Sequence, residues 1–162
     1  MQYTFVDLLK PEHVLIGFRA STAREVIYKL ARPLVQSGHV APAFAKDVWE
    51  REQKFPTGLP TQPLAIAIPH ADPDHVNKTA IGIGILRSPV RFKQMGSDSS
   101  LLTVRIVFLL AVKEREKQVE LIQQLVTVIQ NQSLLEKLAT AKDTQEVVDL
   151  IRKTLQVQSV PP

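Results

Sequence analysis

The chain of 162 residues contains no cysteine. Disulfide bonds, thiol nucleophiles, cysteine-ligated zinc and iron–sulfur clusters are therefore excluded. Long hydrophobic runs are also missing: the most apolar stretch, Val104–Val112, has nine residues and is interrupted by Arg105, whereas a membrane-spanning helix needs about 20. The first residues lack the basic start and apolar stretch of a secretory signal. We therefore expect a cytoplasmic protein that does not insert directly into a membrane.

Positive charge is present but dispersed. The 20 Lys and Arg residues outnumber 16 Asp and Glu, which gives a net charge of +4. Basic and acidic residues alternate over residues 113–117, a pattern typical of a solvated face. Aromatic residues make up only 6% of the chain, and no basic stripe is interleaved with them. Nucleic acid is therefore not an expected partner.

The remaining composition predicts one α/β domain. Hydrophobic residues make up 44% and charged residues 22%, as in soluble globular proteins, and the length favours a single domain. Strands are predicted at 14–18, 64–68, 79–86, 90–92 and 102–112, the last at the sheet centre. We expect a sandwich in which helices flank a mixed, roughly five-stranded β-sheet. Residues 1–162 would form this domain, with a core at about 5–155 and a flexible tail at 156–162.

Local signals place the first two helices. Thr22 and Glu25 have capping-box spacing, and apolar residues then follow a helical period to Val35. Pro33 should bend that helix, and Gly38 suits a left-handed stop. Pro42 fits the first turn of a second helix, which would end near residue 53.

Three further helices should close the chain. The first spans about 115–130 and would direct Val119 inward with the other apolar residues of its stripe. The second is short and would be capped by Ser133 and Glu136. The third runs over about 144–155.

His70 is the most informative single residue. It follows Pro69 at the point where the apolar strand 64–68 gives way to a polar loop, and such positions often present functional groups. Without a thiol, a neutral imidazole is the leading nucleophile, although a histidine at a strand end is by itself more often a hydrogen-bonded surface residue. His70 and His75 with Asp72 and Asp74 do not suggest a complete metal-ligand set. We expect no metal and no cofactor.

The motifs around His70 resemble the IIA component of the sugar phosphotransferase system (PTS), fructose–mannitol family. The chain has Arg51-Glu52, Thr57-Gly58 and Ala65-Ile66-Ala67-Ile68-Pro69-His70 in order. The family shows an Arg-Glu pair, a Ser/Thr-Gly step and an Ile-Ala-Ile/Val-Pro-His strand end. The Pro-Val-Arg-Phe segment at 89–92 and the three closing helices also look like the family. The resemblance covers about residues 5–155.

The resemblance implies a phosphotransferase with a phosphohistidine intermediate. The phosphocarrier HPr would donate a phosphoryl group to His70, and His70 would pass it to a cysteine of a cognate IIB component. IIB would phosphorylate the sugar during import through the membrane component IIC. The missing cysteines agree with an IIB thiol on another chain.

Family precedent also assigns roles to the site residues. His70 would attack through Nε2, while its other ring nitrogen is held by an acceptor such as a backbone carbonyl. Arg51 would bind the phosphoryl oxygens as a planar, charge-assisted fork. Thr57 would donate its hydroxyl to the phosphate, and Gly58 would let the backbone approach it.

One difference from the family motif narrows the resemblance to a single branch of the family. Members of the mannitol and fructose type usually place a second histidine early in the helix after the central strand, where this chain has Gln118. That replacement and His75 together look like the galactitol-specific branch. Gln118 could donate to phosphate, and His75 is either a phosphate-contacting or supporting group or an exposed loop histidine. His13 and His39 are predicted to be surface residues.

Two alternatives stay open at this stage. The chain could be a regulatory IIA-like binding module whose phosphorylation state controls a partner protein, although that branch generally keeps the second histidine. It could also be a degenerate fold without phosphotransfer.

Overall fold

The protein is described by a computed structural model that covers residues 4–97 and 99–159, with side chains to residue 156. Its strands and helices are the following. The strands are β1 (Val14–Phe18), β2 (Gly58–Leu59), β3 (Ala65–Ala67), β4 (Ala80–Lys93) and β5 (Leu101–Ala111), and the helices are α1 (Ala23–Gln36), α2 (Phe44–Lys54), α3 (Arg115–Ile129), α4 (Gln132–Ala139) and α5 (Thr144–Ser159).

The five strands form one mixed sheet in the order β1-β4-β5-β3-β2. Strands β1 and β4 are parallel, as are β3 and β5, whereas β4–β5 and β2–β3 are antiparallel. One face packs against α1 and α2, and the other packs against α3, α4 and α5. The predicted α/β sandwich and the central position of β5 are confirmed. Both faces of β5 are covered, which explains its continuous apolar sequence.

The sheet differs from the prediction in two places. The segments predicted at 79–86 and 90–92 are one strand, β4, whose pairing with β5 shifts register between Ile85 and Val90. Such a shift lets the strand continue past a break in its alternating pattern. Strand β2 lies between the predicted second helix and the predicted strand 64–68, where no strand was expected, and its Gly58 and Leu59 pair with Ala67 and Ile66. A two-residue strand is too short to produce a periodic signal.

The first helix begins and ends as predicted. The Glu25 amide donates to Thr22 Oγ1 at 3.1 Å, and the Glu25 carboxylate accepts from the Ser21 amide at 2.9 Å. Gly38 has a φ of 78°, the left-handed conformation that suits a helix stop. Pro33 lies inside α1, and the helix continues past it to Gln36.

The starts of α2 and α4 differ from the prediction. Pro42 precedes the N-cap of α2, Ala43, and is not in the first turn. The N-cap of α4 is Asn131 and not Ser133, because the Leu134 amide donates to Asn131 Oδ1 at 2.9 Å. The side chain that reaches the free amide of the first turn decides the start of the helix.

Two further helix predictions were wrong in part. Val119 is 63% exposed because the buried stripe of α3 begins two residues later, with Leu121, Leu125 and Val128. Helix α5 continues to Ser159, so the boundary predicted at residue 155 falls inside it. Residues 160–162 of the predicted tail lie outside the described residues. Within residues 4–97 and 99–159, none of the helices combines the length and apolarity that a bilayer crossing needs.

Candidate active site

His70 lies at the sheet edge where the parallel strands β3 and β5 end. After β3 the chain continues alongside β5: the Leu110 amide donates to Pro69 O at 3.0 Å, and His70 forms an isolated bridge with Leu110. The residue is only 8% exposed. The rigid centre of the sheet therefore holds the backbone of His70 and leaves the polar loop after it to surround the ring.

The His70 ring is oriented by a backbone carbonyl two residues before it in the chain. Nδ1 lies 2.8 Å from the carbonyl oxygen of Ile68. A carbonyl can only accept, so Nδ1 carries the proton and, in the neutral ring, Nε2 keeps its lone pair. This is the arrangement that the sequence resemblance implied for a nucleophilic histidine.

The surroundings of His70 favour its neutral form. Burial lowers the pKa of His70, and the hydrogen bond to Ile68 opposes this effect. The Arg51 guanidinium lowers the pKa further, whereas Asp72 raises it. Because the pKa lies below the ordinary value for histidine, the ring is mostly unprotonated near neutral pH.

Arg51 lies on the last turn of α2. It is near enough to His70 for its charge to lower the pKa of the His70 ring. Its guanidinium lies 5.2 Å from the centre of the exposed Phe55 ring, and it lines a cleft with Ala71 and Asp72. Its Nε is buried and has no hydrogen-bond partner among the described residues. An unpaired buried donor costs about 1–3 kcal/mol. The rest of the guanidinium lines the cleft and carries the further N–H donors that an anion could engage.

Thr57 is turned away from the role predicted for it. It is 3% exposed, and its hydroxyl donates to Glu52 Oε1 at 2.7 Å while its amide donates to Glu52 Oε2 at 2.9 Å. The same hydroxyl oxygen accepts from the Ile68 amide at 3.2 Å. The predicted donation of this hydroxyl to phosphate is therefore not the arrangement that the structure has. Thr57 instead links α2 to the strand that carries His70.

The structure adds Glu52, for which no role was predicted beyond its place in the Arg-Glu pair. Its carboxylate is buried, and burial raises the pKa of Glu52 to about 7 against the opposing effects of the Thr57 hydrogen bonds and Arg51. The burial of Glu52 could have been predicted from the sequence. Phe44, Val48 and Glu52 are spaced by four residues and share the inner face of α2. A carboxylate at an apolar position of a helix pattern indicates a buried partner.

Gly58 also serves a different purpose from the predicted one. A Cβ at this position would lie 2.6 Å from the backbone oxygen of Lys93. The Met95 amide donates to Gly58 O at 2.8 Å, so the end of β4 passes directly over the glycine. Gly58 therefore permits the approach of two backbone segments, and its predicted approach to phosphate stays a prediction.

Two hydrogen bonds, made by Gln118 and by His75, join the loop after His70 to neighbouring helices. The Gln118 amide donates to Ala71 O at 3.2 Å, which joins the first turn of α3 to the residue next to His70. His75 Nδ1 is hydrogen-bonded to Asp47 of α2, and this bond raises the pKa of His75. Gln118 is thus close to His70, whereas the hydrogen bond of His75 is made to α2.

The other two histidines form a pair away from this site. His13 is 1% exposed, so its prediction as a surface residue was wrong. Its Nε2 lies 3.1 Å from Ser37 Oγ, which lies 2.7 Å from His39 Nδ1. Over residues 4–97 and 99–159, no group of three or more His, Cys, Asp or Glu residues is arranged to hold a metal ion.

The fold and site together define a class: an α/β sandwich that presents a buried, neutral histidine beside an arginine at a sheet edge. The family model described as phosphoenolpyruvate-dependent sugar phosphotransferase system, EIIA 2, matches residues 7–154. The chain therefore belongs to this family of PTS components. The family resemblance read from the sequence is confirmed.

Individual relatives agree with this assignment. The chain is 30% identical to the galactitol-specific EIIA component of Escherichia coli over 121 residues, 75% of this chain and 80% of the relative. It is 29% identical to the mannitol-specific EIICBA component of E. coli over 146 residues, which are 88% of this chain and 22% of that longer protein. The solved complex of E. coli enzyme IIA mannitol with phosphorylated enzyme IIB mannitol matches with a TM-score of 0.75, at 27% identity, covering 90% of this chain and 97% of that chain.

Proposed function

We propose that the protein is a galactitol-type IIA component that accepts a phosphoryl group from phospho-HPr on Nε2 of His70. It then passes the group to the cysteine of a cognate IIB component, which phosphorylates the polyol imported through IIC. One observation carries the proposal: the buried His70 ring donates from Nδ1 to the Ile68 carbonyl, which leaves the Nε2 lone pair free to attack. Arg51 supports it, because its charge acts on the same ring. The galactitol-specific relative supports the choice of polyol.

The transfer to His70 needs no proton movement at the attacking atom. The Nε2 lone pair forms the new P–N bond while the P–N bond of the donor breaks, and that electron pair stays on the donor nitrogen. The Arg51 guanidinium stabilises the negative oxygens of the loose transition state, and its unpaired Nε gains a partner. Phosphorylation makes the imidazole cationic, and the Nδ1–H bond to Ile68 spreads that charge.

The second transfer reverses these roles. A thiolate of IIB attacks phosphorus, the P–S bond forms, and the P–N bond breaks with its electron pair returning to Nε2. The ring is then neutral again with its proton still on Nδ1. No metal or cofactor takes part in either step.

In this proposal four residues support the site through contacts with other protein groups. They are Thr57, Gly58, Gln118 and His75. Thr57 and Gly58 fix the neighbouring backbone. Gln118 and His75 anchor the loop after His70 at Ala71 and at Asp47. A loop anchored at both ends keeps the nucleophile in one geometry, which lowers the entropic cost of reaction.

A protein donor and acceptor must both reach His70. Phe55 is 60% exposed next to Arg51, and Val119 is 63% exposed next to Gln118. Exposed apolar side chains on both elements that border the site suit the docking of protein surfaces. HPr and IIB therefore fit as partners, and their reactions put the site of action in the cytoplasm. We treat residues 1–162 as one IIA domain.

The experiment is phosphorylation with phosphoenolpyruvate, HPr and the enzyme that transfers phosphate from phosphoenolpyruvate to the HPr histidine, followed by mapping of the phosphoryl group. We expect an acid-labile, base-stable phosphate on the wild-type protein and none on His70→Ala. His39→Ala changes a histidine of the pair away from the site, is the matched control, and should still be phosphorylated. Phosphate on His70→Ala would contradict the site. Phosphorylation of His70 without discharge to a galactitol IIB thiol would contradict the transport role and favour the regulatory alternative.

A further inference from the structure

A buried carboxylate lies behind the nucleophile and takes no part in the proposed transfer. Glu52 is 5% exposed and occupies the inner face of α2 with Phe44 and Val48. Burying a carboxylate is costly unless its oxygens are hydrogen-bonded. The partners that Glu52 has therefore indicate what the residue is for.

Both oxygens of Glu52 hold a single residue. Oε1 accepts from the Thr57 hydroxyl at 2.7 Å, and Oε2 accepts from the Thr57 amide at 2.9 Å. Thr57 in turn holds the Ile68 amide, which lies 3.2 Å from Thr57 Oγ1 and 3.3 Å from Thr57 O. The carbonyl of Ile68 is the group that binds Nδ1 of His70 at 2.8 Å. An unbroken series of contacts thus runs from Glu52 to the nucleophile.

We infer that Glu52 is a positioning residue that fixes the tautomer and orientation of the His70 ring through Thr57 and Ile68. The carboxylate holds Thr57, and Thr57 holds the amide of Ile68. The carbonyl of Ile68, on the other side of its Cα, keeps the proton on Nδ1 of His70. The catalytic consequence rests on the proposed function, whereas the effect on the tautomer does not.

A carboxylate suits this position better than its neutral isostere. Thr57 presents two donors to Glu52, its amide and its hydroxyl, and the carboxylate offers one acceptor for each. Glutamine would offer one acceptor and one NH₂ donor. The NH₂ would face a hydroxyl oxygen that already accepts from Ile68, and the hydroxyl proton would lose its acceptor. Glu52→Gln therefore disturbs the link at Thr57 Oγ1 while keeping the shape of the side chain.

The experiment compares four variants with the wild type. Glu52→Gln and Thr57→Val break the link, and Thr57→Ser keeps the hydroxyl and is the rescue variant. Asn131→Ala removes the N-cap of α4, away from the site, and is the control for a general loss of stability. The readouts are the ¹⁵N chemical shifts of the His70 ring and single-turnover phosphorylation against the concentration of phospho-HPr.

We expect a single Nδ1–H tautomer of His70 in the wild type, in Thr57→Ser and in Asn131→Ala. Glu52→Gln and Thr57→Val should show a mixture of tautomers. Their maximum single-turnover rates should fall by about 10-fold or more, as for other residues that orient a reacting histidine. The half-saturating concentration of phospho-HPr should not change, because these residues do not face the partner.

Two results would overturn the inference. One is an unchanged His70 tautomer in both Glu52→Gln and Thr57→Val. The other is an equal change in Asn131→Ala. If Glu52→Gln does not fold, the comparison of Thr57→Val with Thr57→Ser decides the question. A tautomer mixture in the variants of a protein whose wild type is not phosphorylated would support the positioning and contradict the proposed function instead.

Discussion

Arg51 and Glu52 are neighbours in the sequence but face different surroundings at the end of α2. Successive residues of a helix point about 100° apart, so Arg51 reaches the cleft beside His70 while Glu52 turns into the core. Arg51 keeps an unpaired buried Nε, whereas both oxygens of Glu52 are engaged. The cation is thereby available for a ligand, and the carboxylate is committed to the scaffold.

Arg51→Lys tests the role of the guanidinium. Lysine keeps the charge but has neither the planar fork nor the Nε donor. We expect the single-turnover rate of His70 phosphorylation to fall by about 10²-fold, as for loss of one preorganised donor. The free energy of unfolding should change by less than about 1 kcal/mol.

The control is Arg152→Lys, the same substitution in an exposed ion pair with Asp149 on α5. It should leave both the rate and the stability unchanged. An unaltered rate in Arg51→Lys would remove Arg51 from the site.

For single residues, the sequence predicted which ones lie at the site better than it predicted their hydrogen-bond partners. His70 could be found because an apolar strand ends in Pro69-His70 and Arg51 precedes it at the family spacing. The role of Thr57 could not, because Ser/Thr-Gly steps are common in turns and the partner that takes its hydroxyl is set by the packing of α2. His13 was misjudged for a similar reason: its burial depends on Ser37 and His39, which are distant in sequence.

Among the elements, β2 contributes most to the site for its length. Its two residues pair with β3 immediately before Ile68, and Gly58 lies under the end of β4. This contact holds the Thr57–Gly58 segment against the strand that carries His70. A bulkier residue at position 58 would separate these backbones.

Gly58→Ala tests this contact. The added methyl group would lie 2.6 Å from the Lys93 carbonyl oxygen, so we expect a loss of about 1–3 kcal/mol in the free energy of unfolding measured with denaturant.

Gly82→Ala is the matched control in β4, because its Cβ would meet Leu109 at an ordinary 3.5 Å. It should alter the stability by less than about 1 kcal/mol. Equal effects of the two substitutions would contradict the role given to Gly58.

Elements with several apolar residues were predicted well, and their ends were not. The nine apolar-rich residues at Val104–Val112 identified β5, and helical periodicity identified α1 to α5. The start of α4 was misplaced because Ser133 and Glu136 have capping spacing, while Asn131 can also accept from a first-turn amide. The inward stripe of α3 was misplaced in part. Leu125 and Ile129 fit the predicted period and are buried, whereas the packing also buries Leu121 and Val128 and leaves Val119 exposed.

In the whole molecule, two hydrophobic cores lie on opposite faces of one sheet, and the site lies at its edge. The cores hold β3 and β5 from both sides, so the end of the sheet is a rigid support for His70. The loop after His70 is tied to α2 and to α3. Helices from both layers therefore meet at the nucleophile, which explains why residues scattered from 51 to 118 form one site.

The net charge of +4 is not concentrated in the cleft beside His70. The cleft beside His70 is lined by Asp47, Glu50, Asp72 and Asp74 as well as by Arg51 and Lys54. Charge of both signs fits a site that meets a phosphoryl group and then protein surfaces.

The central claim is that Nε2 of His70 carries the phosphoryl group. The most direct test is to phosphorylate ¹⁵N-labelled protein with phosphoenolpyruvate, HPr and the enzyme that phosphorylates the HPr histidine, and to record long-range ¹H–¹⁵N spectra of the four histidine rings of the labelled protein. We predict a phosphorus-bonded Nε2 on His70, a proton retained on Nδ1 of the same ring, and no phosphorus on the other three rings. Phosphorus on Nδ1 of His70, on His75 or another histidine, or on no histidine would contradict it.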